Sequence, residues 1–345
     1  MKVEDDDVAE ARRKLVALEL RSTGFRTVPS LESDLAHELS RAIYAPVHEN
    51  EQRPYGAVII SDEYRFYCLH DDVKVEEDIS PSVVNRLADG VNAFVLKGPR
   101  VSRPSLLLPH TPLVDEVDLF TLRDDALFGD RSIHPIDPPE HDFMIVRRDS
   151  SDAVTALAST GIATLRLGSW GFRRYQYAYM SAIRDVYAPP DPMFNQCIRA
   201  ALRLAVHILS PKRCGGTIVV LDPTDDIEAL ESEGCVNRRK AVTIEGGVDI
   251  ARKSLQRPLV HLMSQHDGAT IVNSSGDVTD IGVWLGSRAD GFASAPSEGG
   301  TRHFAAQRFS REIAGVVIVV SSDGPVTIFF AGDKISVSEH SCWAG

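Results

Sequence analysis

The chain has 345 residues, and nothing in them provides a disulfide or zinc–thiolate framework. Its five cysteines, Cys68, Cys197, Cys214, Cys235 and Cys342, are scattered, and no two stand at the close spacing of zinc sites or redox pairs. They are expected to be reduced, structural thiols. Long apolar runs are missing as well: no stretch approaches the ~18 uninterrupted apolar residues of a membrane span. The acidic start, Met1-Lys2-Val3-Glu4-Asp5-Asp6-Asp7, lacks the apolar centre of a secretory signal. The expectation is a cytoplasmic protein with no membrane partner. Basic excess is absent too, with 37 Lys and Arg against 49 Asp and Glu and a formal net charge of −12. That balance argues against general nucleic-acid binding, which needs clustered cations. Nor do His134, His141, His261 and His266 have the i, i+4 spacing of helix-borne zinc ligands.

With 43% hydrophobic and 25% charged residues the composition is that of an ordinary globular protein. The length points to two domains, because single cores rarely grow beyond ~250 residues. Apolar residues at Ala11, Leu15, Leu18 and Leu20 predict an amphipathic helix over Val8–Leu20, and a second helical pattern runs from Leu31 to Ile43. Short apolar runs predict strands at Tyr55–Ile60, Ala93–Leu96, Phe143–Val146 and Ala163–Leu167, with a helix-like stretch from Ser151 to Thr160. Frequent prolines between Lys97 and Glu140 predict long loops. The proline cluster Ala188-Pro189-Pro190-Asp191-Pro192 is read as the boundary between a mixed α/β domain, 1–188, and a second domain, 189–345.

Past the boundary, Phe194 to Leu209 has helical periodicity, and Gly216–Leu221 is a continuous apolar strand. A looser segment reaches Gly246-Gly247, followed by a helix from Leu255 to Gln265 and a strand at Ala269–Val272. Val316–Val320 and Val326–Phe330 flank Asp323-Gly324 as a hairpin. The fold class is α/β in two domains, the second a mixed β-sheet flanked by helices.

Two short segments carry chemistry. Gly300-Thr301-Arg302-His303 opens a helical pattern. Unpaired N–H groups and the helix dipole make such a start an anion site, to which Arg302 adds a bidentate grip on phosphate. Asp267-Gly268-Ala269 precedes a buried strand and by itself is compatible with an ordinary turn. Asp222, Asp225 and Asp226 accompany Pro223 and Thr224 and are read as a solvated turn, not as a metal cluster.

The order of the pieces is apolar strand, helix, Asp-Gly-Ala strand, loop, Gly-Thr-Arg-His helix, apolar strand, hairpin and strand. From Gly215 to Gly332 it resembles the diadenylate cyclase domain, the catalytic module of the bacterial DNA-integrity scanning protein and its relatives. The resemblance implies that Asp267, Arg302 and His303 are catalytic and that Asp267 and His303 attend a Mg²⁺ or Mn²⁺ ion. It further implies ATP contacts from Gly268, Ala269, Leu285, Gly300, Thr301, Phe304 and Ser321. The implied reaction joins two ATP into cyclic di-AMP across a homodimer or higher homo-oligomer, with the N-terminal domain in a sensor or regulatory place. Phe304 departs from the family's arginine at the end of its basic motif, which leaves open a nucleotide-binding relative that does not cyclise, or a scaffold.

Overall fold

The computed structural model describes residues 6–22, 25, 31–44, 53–60, 73–76, 80–98, 101, 105–109, 143–148, 153–158, 161–174, 179–180, 182–183, 186, 191–288, 300–322 and 324–335. The chain divides into two compact units, Met1–Tyr175 and Gln176–Glu339. Ala188, Pro189 and Pro190 of the expected linker lie outside the described residues.

The first unit opens with α1 (Asp6–Ser22) and α2 (Glu32–Tyr44). In α1 the buried residues are Val16 and Leu20, while Leu15 and Leu18, expected on the inner face, are exposed. Val16 and Leu20 stand one turn apart and pack with Phe25 and with Leu35, Leu39 and Ala42 of α2, and this contact fixes the rotation of α1. The sheet then builds from β1 (Tyr55–Ile60), β2 (Val73–Glu76), β3 (Phe94–Lys97), β4 (Ser105–Pro109), β5 (Phe143–Arg148), β6 (Val154–Ala158), β7 (Gly161–Arg166) and β8 (Ser169–Arg173). A short helix, α3 (Pro81–Leu87), precedes β3. The strand order is β2-β4-β3-β1-β5-β6-β7-β8, with β1 and β3 parallel.

Two expectations fail here. The helix-like stretch 151–160 holds β6, which pairs antiparallel with β5 on one side and β7 on the other. Its Ala and Leu residues are strong helix formers, but that preference is worth under about 1 kcal/mol per residue, and hydrogen bonds to two neighbouring strands outweigh it. The proline-rich segment read as loops contains β4, whose Pro109 ends the strand, where a missing N–H is tolerated. Residues 99–100, 102–104 and 110–140 of that segment lie outside the described ones.

The second unit begins with α4 (Pro192–Leu204), capped by Asp191, whose carboxylate accepts from the Met193 N–H at 2.9 Å. Its face of Phe194, Cys197, Ile198, Ala201 and Leu204 is buried, and the helix continues as a π-turn over Ala205–Leu209. There follow β9 (Gly216–Val220), α5 (Ile227–Ser232), β10 (Val236–Asn237), β11 (Val242–Asp249), α6 (Lys253–Gln265), β12 (Ala269–Val272), β13 (Asp277–Leu285), α7 (Gly300–Phe309), β14 (Val316–Val320), β15 (Val326–Phe330) and β16 (Asp333–Ile335). The sheet runs β10-β13-β12-β9-β14-β15-β16, with β11 also on β13, and β9 and β12 are parallel. The looser segment before Gly246 is therefore α5, β10 and most of β11. Val219, Ala269, Ile271, Val283, Val317 and Val319 form one apolar layer with Leu230 of α5 and Ala306 and Phe309 of α7. None of the described helices is long and apolar enough to cross a membrane.

Candidate functional site

A cleft of about 540 Å³ opens at the end of the second sheet where β9 and β12 begin and β13 and β14 finish. The topology explains its position. Two parallel strands start at the same edge, their antiparallel neighbours end there, and the start of α7 borders the gap. Its volume falls in the ~300–1,000 Å³ range of small-ligand sites.

Asp267, Gly268, Ala269, Leu285, Gly300, Thr301, Arg302, His303, Phe304 and Ser321, all named from sequence, line this one cleft. Asp267 sits on the turn into β12 with its side chain 89% exposed, and Oδ1 stands 3.6 Å from the Arg302 guanidinium, itself 46% exposed. A carboxylate and a cation thus face each other across the mouth. Gly268 has φ +129°, and a Cβ there would come within 2.6 Å of the Gly282 carbonyl carbon. Only glycine lets β12 approach β13 so closely. Gly215 has a similar role, since a Cβ would fall 2.2 Å from an Arg302 guanidinium nitrogen, so the arginine lies across the space it leaves.

The first turn of α7 brings Gly300, Thr301, Arg302 and His303 to the cleft. The half-buried His303 ring meets Phe329 edge-on at 6.1 Å. Ser321 follows β14, its N–H donating to the Pro325 carbonyl at 2.9 Å. Ala269, Val283, Leu285 and Phe304 give the cleft an apolar wall beside this polar rim. Backbone N–H groups with a guanidinium suit a polyphosphate, and the wall suits a flat heterocycle.

Thr217, Trp284 and Arg308 also line the cleft and were not named from sequence. Arg308 lies one turn beyond Phe304, its guanidinium 5.1 Å from the centre of that ring and donating to Ser287 Oγ at 2.7 Å. The i, i+4 spacing from Phe304 was the signal that could have found it. Trp284 is 47% exposed, with the Lys240 ammonium 5.3 Å from its ring. Its strand position gave no such hint.

Among the described residues no group of three or more His, Cys, Asp and Glu is placed to hold a metal ion. Asp267 nonetheless fits a hard cation that arrives with a triphosphate, because Mg²⁺ is commonly held by one or two carboxylates, phosphate oxygens and water. The acidic trio is engaged elsewhere. Asp222 accepts from Thr224, Asp226 caps α5, and Asp225 accepts from the N–H groups of Asp222, Ala314 and Gly315. The buried Cys197 thiol donates to the Ser274 carbonyl at 3.3 Å, and burial pushes its pKa up to about 11, so it is not a reactive thiolate.

Residues 203–334 match the family model described as "DAC: DisA bacterial checkpoint controller nucleotide-binding". No curated protein matches the chain. Two solved structures are similar to part of it. A hypothetical membrane spanning protein from Bacillus cereus is 20% identical with a TM-score of 0.30, over 43% of this chain and 72% of that one. DacA from Staphylococcus aureus, solved as a double cysteine mutant, is 18% identical with a TM-score of 0.29, over 40% of this chain and 84% of that one. The segment that matches the DAC family model, residues 203–334, contains every residue that lines the cleft.

Proposed function

We propose that the second unit is a diadenylate cyclase that condenses two ATP into cyclic di-AMP and two pyrophosphates. The observation that carries this reading is the convergence of the Asp267 turn and the Gly300–His303 helix start in one cleft sized for a single small molecule. One cleft presents one ATP. Two clefts must therefore face each other about a two-fold axis, so that each 3′-hydroxyl lies in line with the α-phosphorus of the other nucleotide.

In each half-reaction the 3′-oxygen forms a bond to the α-phosphorus, the α–β anhydride bond breaks, pyrophosphate leaves and the hydroxyl proton is released. Arg302, Thr301 and the N–H groups of the first turn of α7 hold the phosphates and balance their charge. Asp267 draws the hydroxyl proton and, with His303, is the side chain that would hold Mg²⁺ or Mn²⁺. When bound, that ion supplies charge neutralisation at the phosphates. Ala269 and Leu285 flank the base, and Ser321 adds a hydroxyl at the phosphate end. The N-terminal unit takes a regulatory place.

A second reading is favoured by Phe304, which replaces a cation with a ring in the cleft wall: the unit binds ATP without joining two. Purified protein incubated with ATP and Mg²⁺ or Mn²⁺, with products identified by mass spectrometry, separates the two. Cyclic di-AMP and pyrophosphate in a 1:2 ratio supports condensation. Saturable ATP binding with no such product leaves the binding reading in its place.

A further inference from the structure

The first sheet repeats the second. Reading outward from β9, the second unit has β12 parallel on one side, then antiparallel β13 and β11; on the other side stand antiparallel β14, β15 and β16. Reading outward from β1, the first unit has β3 parallel, then antiparallel β4 and β2; on the other side stand antiparallel β5, β6 and β7. Chain order also agrees, with β2 and β11 each followed by a helix and then by the parallel strand. The hairpins close alike, Arg148 pairing with Val154 across residues 149–153 and Val320 with Val326 across residues 321–325.

Register fixes which residues correspond. Ala57 pairs with Val95 and Val146, and Ile218 pairs with Thr270 and Ile318. Ala57 and Ile59 pack against α1 and α2, while Ile218 and Val220 point away from the α5 and α7 layer, so the faces agree. On this register the cleft residues Thr217, Ala269, Val283 and Val319 correspond to Gly56, Phe94, Leu107 and Arg147. Asp267 corresponds to Asn92.

Among the described residues, Phe94 and the turn after α3 fill that end of the first sheet. The Phe94 ring is fully buried beside Gly56, where a Cβ would lie 2.6 Å from the ring and 2.4 Å from Gly90 Cα. The Gly56 N–H donates to the Ala88 carbonyl at 3.1 Å, which ties the turn after α3 to the start of β1. Asp89 does not stand in for Asp267. Its carboxylate is used within the turn, accepting from the N–H groups of Val91, Asn92 and Ala93 and from the Asn92 side chain. We infer that the first unit is a diverged second copy of the nucleotide-binding fold whose cleft is plugged by Phe94 and the Asp89–Ala93 turn. Each chain then offers one nucleotide site, and the two sites needed for condensation come from two chains.

This rests on the cyclase reading of the second unit, and the test separates the two. Titrating the full chain with an ATP analogue non-hydrolysable between the α- and β-phosphates, in Mg²⁺, should give one bound nucleotide per chain, held roughly ten-fold or more weaker in Arg302→Ala. Two per chain, or a site whose affinity Arg302→Ala leaves unchanged, overturns the plugged copy while the cyclase reading stands. No binding to the wild type overturns the cyclase reading and this inference with it. Mixing wild type with excess Asp267→Asn should then depress product formed per wild-type chain several-fold, as inactive chains occupy partner positions. An unchanged yield at every ratio shows both sites lying in one chain and overturns the inference.

Discussion

The Asp267 side chain is 89% exposed and faces Arg302 at 3.6 Å, so replacing it perturbs chemistry far more than folding. Asp267→Asn should lower cyclic di-AMP formation by at least about 100-fold, the low end of general acid–base contributions, with an unchanged thermal melt. Arg308 is the cation that the chain offers near the position where Phe304 breaks the family motif. Arg308→Ala should weaken ATP binding by roughly ten-fold or more, given about 1.5–3 kcal/mol for a charge-assisted contact. Isothermal titration at fixed Mg²⁺ measures it, and an unaltered affinity would mean that Arg308 serves only Phe304 and Ser287. Arg302 was legible in the sequence because a helix start after glycine leaves a local signature, whereas Asp267 gained meaning only from the order of the segments around it. Thr217, Trp284 and Arg308 were not, since strand pairing and helix rotation bring them to the cleft.

Among elements, those with unbroken apolar runs, such as β9, β12 and β14, were readable because burial on both faces demands such runs. β11 was not readable. Most of its residues are exposed or half-buried, and Gly246 and Gly247 weaken any strand pattern. The β12–β13 pair makes a sharp prediction: Gly268→Ala forces a Cβ against Gly282 and should cost about 1–3 kcal/mol, read as a fall in the melting temperature of the second unit. The turn before β3 gives a pH-dependent one. Burial opposes ionisation of Asp89, but the Asn92 side chain and three backbone N–H groups outweigh it and hold its carboxyl below the usual range. A depressed folded-state pKa contributes stability that is present above the unfolded value near ~4 and lost as pH falls through the folded one. Urea midpoints of wild type and Asp89→Asn should therefore differ fully at pH 6, start to converge near pH 4 and meet only below the depressed folded-state pKa.

For the whole molecule, the proposed reaction takes its ion with the nucleotide, so on that reading chelation should abolish product formation while leaving the melt unchanged. A fall in melting temperature with EDTA would point to a structural ion instead. The two-domain reading followed from length, but the shared strand order did not, because strand pairing is a long-range property that apolar runs do not encode. The facing of Asp267 and Arg302 across the cleft mouth has a further consequence for how occupancy responds to its two ligands. On the proposed reading Asp267 and Arg302 are each other's partner, so a nucleotide arriving alone must draw Arg302 from its carboxylate, and a cation arriving alone must draw Asp267 from its guanidinium. Whichever arrives first frees the partner for the second, and by linkage the help is mutual. On the proposed cyclase reading the cleft would act as a coincidence detector, responding to nucleotide and cation together more steeply than to the sum of each.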